Sequence, residues 1–175
     1  GKRGKVWDSE AGKGASGVAD VFISYHEKSA GEFAEQIADA LENAGISSWC
    51  ARRDLPFGGN FAREIPAQID ACKVFLLFVT ESADTWHIES EVRLAFERLN
   101  RGEDITILPL EIGNFERKPF IYYLINLQSV RIPQLDAPQI EQLTRKIAQI
   151  LNREMSTEII KRVECGDGVK YPLRN

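Results

Sequence analysis

The side chains able to do chemistry in this sequence gather in a few short stretches. Ser24, Tyr25 and His26 stand together, followed by Glu27 and Lys28. Arg52, Arg53 and Asp54 come shortly before the pair Gly58-Gly59, and Glu89 and Glu91 follow Trp86 and His87. Two arginines beside an acid can hold phosphates or ribose hydroxyls, or can serve as contacts to another protein. A glycine pair ahead of a helix lets backbone N–H groups approach a phosphate, although such pairs are also ordinary turn formers. On a helical wheel the apolar stripe of the third helix comprises Ile88, Val92, Ala95, Phe96 and Leu99, and Glu89 and Glu91 flank it on opposite sides, each roughly 80° from its centre. Spacing alone therefore does not separate a site acid from a solvated helix charge. His26 and His87 have no spacing that brings them together. No phosphate-binding Walker loop, no Ser-His-Asp order and no nucleophilic cysteine setting is visible.

These stretches are positioned by a regular alternation of elements. Residues 20–25 (DVFISY) are short, apolar and β-rich, as a buried strand should be. Ser29-x-x-Glu32 has the spacing of a capping box and predicts a helix with Phe33, Ile37, Leu41 and Ala44 on one face, ended by Gly45. Residues 46–50 read as a second strand, with Trp49 in the core, and 51–59 as an irregular stretch. A helix should follow from about Asn60 with Phe61, Ile65 and Ile69 inward. Pro66 inside it would cost ~3 kcal/mol, so a later start or a kink is expected. Residues 73–80 (KVFLLFVT) are the most apolar run and belong mid-sheet, covered on both faces. Residues 85–99 predict a third helix, 105–110 a fourth strand, 113–124 an irregular or short-helical stretch, and 127–132 a fifth strand. Asp136-x-x-Gln139, with Pro138 in the first turn, opens a last helix whose apolar positions are Ile140, Leu143, Ile147, Ile150 and Leu151.

Strands alternating with helices imply right-handed crossovers and a parallel sheet. The fold class is α/β, flavodoxin-like, with a five-stranded parallel sheet and helices on both faces. Sites in such folds lie beyond the carboxyl ends of the strands, which brings residues 24–28, 51–59 and 80–86 around one crevice. A response-regulator receiver shares this architecture but needs clustered acids after its first strand, where Ser24-Tyr25-His26 stands here. A flavodoxin needs a hydroxyl-rich phosphate loop at that position, which Ser24 and Tyr25 alone do not make.

Composition bounds the rest. The chain has 175 residues, 43% hydrophobic and 27% charged, as an ordinary globular protein does. With 22 basic against 26 acidic side chains the net charge is −4, which disfavours a nucleic-acid binder. Its longest apolar run is far short of the ~20 residues of a membrane helix, and no secretory leader is evident. Cys50, Cys72 and Cys165 are odd in number and carry no C-x-x-C pair, which points to a reduced compartment and neither a disulfide frame nor a metal site. The expectation is a cytoplasmic protein with no membrane or nucleic-acid partner. Residues 1–19, rich in Gly, Lys and Ser, read as a flexible lead-in, 20–153 as one domain, and 154–175 as a linker or the start of a further domain.

Four motifs in the right order carry a family resemblance. Asp20-Val-Phe-Ile-Ser-Tyr25 resembles the opening strand of TIR (Toll/interleukin-receptor) domains. Gly45-Ile-Ser-Ser-Trp49-Cys-Ala-Arg-Arg-Asp54-Leu-Pro-Phe-Gly58 resembles the second strand and BB loop of the prokaryotic-type branch, with Arg52 and Phe57 at positions usually held by proline. Thr80-Glu-Ser-Ala and Glu91-Val-x-x-Ala95 resemble the end of the third strand and the following helix. The likeness spans residues 20–151.

That resemblance implies one of two roles. Some TIR domains cleave NAD⁺ at the nicotinamide–ribose bond, giving nicotinamide and ADP-ribose or a cyclic isomer, and depend on one glutamate at the position of Glu91. Others are non-catalytic scaffolds that assemble through the BB loop. The enzymatic reading implies NAD⁺ as substrate and no further cofactor or metal. It also implies self-association as the switch, and a place in prokaryotic immune or defence signalling. Its implied substrate contacts are Ser24, Tyr25, His26, Arg53, Asp54, Phe61 and Trp86. The family's usual aromatic residue four positions before the glutamate is His87 here, with Trp86 one position earlier. A single carboxylate suits this bond, because nicotinamide leaves as a neutral molecule and needs no acid to protonate it, unlike the carboxyl pair of ordinary glycosidases.

Overall fold

The computed structural model describes residues 17–55, 58–80, 86–113 and 129–152. Five parallel strands form one sheet in the order β2-β1-β3-β4-β5. They are β1 (Val21–Ser24), β2 (Ser48–Cys50), β3 (Val74–Val79), β4 (Thr106–Ile112) and β5 (Val130–Ile132). The helices are α1 (Glu27–Asn43), α2 (Ala51–Asp54), α3 (Phe61–Ala71), α4 (Trp86–Asn100) and α5 (Ala137–Ile150). Every residue of β1, β2 and β3 is buried, because both faces of the sheet are covered.

Two apolar layers result. Val21, Ile23, Leu76 and Phe78 pack under α1 and α5 with Ile37, Leu41, Leu143 and Ile147. The alternate residues Phe22, Phe75, Leu77 and Val79 pack under α3 and α4 with Ile69, Ile88, Val92 and Ala95. Here Phe22 stacks between Trp49 and Phe75, with ring centroids 5.3 and 5.4 Å apart. Each large apolar side chain buried this way contributes about 1.5–3 kcal/mol.

The flavodoxin-like reading of the sequence holds, and the differences are local. Helix α1 begins at Glu27 with His26 as its N-cap, and the Ala30 N–H already bonds the His26 carbonyl at 2.9 Å. The capping-box spacing had placed the start near Ser29. The first turn of the expected irregular stretch winds into α2. Helix α3 neither starts late nor stops at Pro66. Asn60 caps it, its side chain accepting from the Ala62 N–H at 3.1 Å, and fully buried Ile69 anchors its far end. Burial offsets the one hydrogen bond that Pro66 cannot donate. Gly45 ends α1 as expected, with φ of 78°. Asp136 caps α5 through the Gln139 N–H at 3.1 Å. Residues 17–19 belong to the fold: buried Gln68 of α3 accepts from the Ala19 N–H at 3.1 Å and donates to the Gly17 carbonyl at 3.2 Å. The expected irregular segment 113–124 falls almost wholly outside the described residues, as do 1–16 and 153–175. Among the described residues no helix is long and apolar enough to cross a membrane.

Helices α3 and α4 are locked together by one buried cation. Arg98 of α4 is 6% exposed and donates through Nη1 to the carbonyls of Ile69 (2.8 Å) and Cys72 (2.5 Å), while Nε meets Glu103 Oε1 at 3.1 Å. The guanidinium thus satisfies acceptors that the end of α3 leaves open. Replacing it by methionine (Arg98→Met) keeps the stem, removes the charged donor from both carbonyls and leaves that of Ile69 to the weak Cys72 thiol at 3.3 Å. A loss of about 2–4 kcal/mol is expected from the urea unfolding midpoint, with Arg98→Lys recovering only part of it.

Candidate active site

The last residue of β1 is the first on that strand with freedom to be polar. Alternation puts Ser24 on the same face as Phe22, under α4, and only 1% exposed. Its Oγ donates to Glu91 Oε2 at 2.5 Å. Among the described residues the other carboxyl oxygen of Glu91 has no hydrogen-bond partner. Glu91 sits on α4 one turn beyond buried Ile88 and one turn before buried Ala95, so it leans over the end of the sheet. Glu89, its competitor on the wheel, is exposed. Burial pushes the Glu91 carboxyl up from its ordinary value to about 7, and the Ser24 hydrogen bond pulls the other way.

Glu91 lines a cleft of about 770 Å³. Its floor is Phe22, Ile23 and Tyr25 of β1 and its continuation; one side is Ala51 and Arg52 of α2. Ala62, Ile65 and Pro66 of α3 form another wall, and Ser90, Glu91 and Leu94 of α4 the opposite one. The volume is in the range of small-molecule and cofactor sites, and the lining is mostly apolar with a few convergent polar groups.

The remaining sequence candidates divide. Tyr25 lines the cleft, and its phenol oxygen accepts from the Arg52 N–H at 2.7 Å. Arg52 lines it too and pairs with Glu35 of α1 at 3.2 Å. Ser24 touches Glu91 without lining the cleft, and His26 is a half-buried helix cap away from its walls. Arg53 and Asp54 are not part of the lining. Asp54 accepts from Arg53 at both oxygens (2.9 and 2.8 Å) and from the Cys50 N–H at 2.9 Å. Arg53 also donates to the Ser48 carbonyl (2.8 Å) and Glu42 (3.1 Å), so both side chains are spent on pinning α2 to β2 and α1. Phe61 and Trp86 open α3 and α4, and their side chains lie outside the described residues.

Sequence reasoning missed the Ser24–Glu91 contact and the walls made by Ile65, Pro66 and Leu94. Leu94 carried a signal, since it is apolar and stands off the stripe of its helix. Cys50 and Cys72 are buried thiols, and burial pushes Cys72 up to about 12, which suits packing and not nucleophilic attack.

A family model described as TIR domain matches residues 21–148. Among solved structures the chain is similar to a metazoan TIR-STING receptor from C. gigas in complex with 2',3'-cGAMP, with 21% identity and a TM-score of 0.58. That match covers 78% of this chain and 40% of the receptor, so the chain spans well under half of that protein's length. It is also similar to the TIR domain of a Toll-related receptor from Hydra magnipapillata, with 19% identity, 77% of this chain and 100% of that one covered, and a TM-score of 0.51. At these identities the likeness is one of fold. Among curated proteins no sequence matches.

The Glu91 environment predicts a stability signature that needs no substrate. The folded-state value of about 7 lies above the ordinary 4.5, so the folded protein holds the extra proton between those limits. The stabilisation from the neutral form is complete below pH ~4.5 and lost as pH rises through ~7, amounting to roughly 3 kcal/mol. Glu91→Gln, neutral at every pH, should therefore raise the melting temperature over wild type at pH 8 by several degrees and leave it unchanged near pH 4.5. Thermal scans of both proteins across that range measure it.

Proposed function

The chain belongs to the TIR-domain family, and from that premise we propose that it cleaves NAD⁺ at the nicotinamide–ribose bond, with Glu91 as the catalytic carboxylate. The observation that carries this reading is the placement of Glu91: a carboxyl group lining a substrate-sized cleft at the carboxyl end of a parallel sheet, with one oxygen held and the other without a partner among the described residues.

The chemistry asks little of the protein beyond placement and charge. The glycosidic C–N bond breaks with its electron pair going to the nicotinamide nitrogen, which departs neutral. Positive charge develops on the ribose. An ionised Glu91 beside the ring stabilises that oxocarbenium character and can accept hydrogen bonds from the ribose hydroxyls. Water then adds at the anomeric carbon and releases a proton, giving ADP-ribose; attack by an adenine nitrogen of the same molecule gives a cyclic isomer. NAD⁺ is the substrate, and these steps use no further cofactor. Tyr25 and Arg52 stand where they can meet the ribose or phosphates. Phe61 and Trp86, at the first turns of α3 and α4, are the aromatic candidates for the nicotinamide ring.

Enclosure works against ionisation, so the active form is the minority species below pH ~7 and the reaction rate rises through that value. Self-association of TIR domains in the cytoplasm, within immune or defence signalling, is the proposed switch.

Concentrated protein incubated with NAD⁺ should release nicotinamide, read by chromatography. Glu91→Ala should lower the rate by at least ~100-fold, as removal of a main stabilising charge does, while Glu89→Ala leaves it intact. Wild-type kcat should climb from pH 6 to 8 and level off above. Undiminished release by Glu91→Ala overturns the assignment of the carboxylate. Silence from wild type even when forcibly clustered overturns the enzymatic reading in favour of a scaffold.

A further inference from the structure

Ser24 stands where the family resemblance implies a contact to the substrate, yet its side chain is 1% exposed and does not line the cleft. What it touches is the acid: we propose that Ser24 is the positioning residue of Glu91, its hydroxyl tying Oε2 to the end of β1 so that Oε1 is the oxygen presented to the substrate. This rests on the reading of Glu91 as the catalytic carboxylate.

The argument is geometric first. A glutamate on a helix has three rotatable bonds and, without a tether, spreads its carboxylate over several positions. Ser24 belongs to a strand whose neighbours are fixed on both sides, β2 through Ile23 and Cys50 and β3 through Leu77. Its hydroxyl is therefore an anchor on the stiffest part of the molecule. Ser24 Oγ lies 2.5 Å from Oε2, and its bond to the ionised carboxylate is stronger than one to the neutral acid. Oε1 has no partner among the described residues, so the tether takes one lone-pair set and leaves the other. A reacting carboxylate held in one orientation gains the rate advantage of a preorganised group.

Electrostatics agree. Burial disfavours the charged carboxylate, and the Ser24 hydrogen bond is the one influence that restores it. Among the described residues, the groups facing Glu91 across the cleft are Tyr25 after β1 and Arg52 on α2. The α3 wall, Ala62, Ile65 and Pro66, carries no titratable group, and Ser90 is the polar neighbour on α4.

The test compares wild type with Ser24→Ala and Ser24→Thr, the second keeping the hydroxyl on a residue suited to strands. Two readouts are taken. The first is the titration of the Glu91 side-chain carboxyl, followed by carbon-13 NMR and identified by its absence in Glu91→Gln. The second is nicotinamide release across pH. Ser24→Ala should move the Glu91 midpoint upward by about one to two pH units, the worth of a hydrogen bond to a charged group. At pH 7 its kcat should fall about 5- to 50-fold with KM little changed, and the deficit should shrink as pH rises. Ser24→Thr should restore both. An unchanged midpoint in Ser24→Ala overturns the proposal, and so does a rise in KM with kcat intact, which would make Ser24 a substrate contact. Should Ser24→Ala not fold, Ser24→Cys, with its weak donor, carries the same test and should lie between alanine and wild type. A shifted midpoint in a protein that never cleaves NAD⁺ sustains the Ser24–Glu91 coupling and overturns the catalytic reading instead.

Discussion

A parallel sheet covered on both faces gives its strands no polar outlet until they end. That constraint organises the molecule. The buried polar side chains of the strands sit at or beside their termini: Ser24 at the end of β1, Ser47 and Ser48 where β2 begins, and Glu111 one residue before β4 finishes. Each finds a partner there. Ser48 donates to the Ala38 carbonyl of α1, Glu111 meets Arg131 of the neighbouring strand at 3.2 Å, and Ser24 meets Glu91. A carboxyl group held near a strand end is therefore a product of the architecture, set where polarity is already permitted.

The same economy explains α2. Four residues make little helix by themselves, since nucleation costs more than one turn returns. Arg53 and Asp54 supply the difference with a two-pronged ion pair, extended to the Cys50 N–H, the Ser48 carbonyl and Glu42. Asp54 is 5% exposed at its side chain and Arg53 21%, so the pair is partly shielded and worth more than a surface bridge. Arg52 and Tyr25 are left to line the cleft. Adjacent residues in one charged stretch thus do unlike jobs, and the division follows which way a helix of one turn points them.

Most of the fold was legible because it rests on patterns that sequence carries directly. The runs VFIS and VFLLFV are short, apolar and rich in β-branched and aromatic residues, as two-face-buried strands are, and Asp136 with Pro138 announces α5. A later start at Pro66 does not occur because the proline's penalty is local while the burial that offsets it, at Ile69 and against α4, is tertiary. The start of α1 was misread because a capping-box spacing also occurs inside a helix. At the site, Glu91 stood equal to Glu89 on the wheel, and only the family resemblance separated them. What separates them physically is the end of β1, a contact across 67 positions of sequence that no window of periodicity reaches. The partners of Arg53, Glu42 and the Ser48 carbonyl, come together only once β2 and α1 are packed, which no local pattern carries.

Gln68 gives the molecule a mechanical property. Its amide grips the chain at Ala19 and at Gly17, just ahead of the first strand, while its backbone belongs to the helix that walls the cleft. A pull on the chain before residue 17 is then shared between β1 and α3: the strand resists along its axis, in shear against two neighbours, and the helix receives a sideways load through a single side chain. Tension arriving from that direction bears on the floor of Glu91's cleft and on one of its walls.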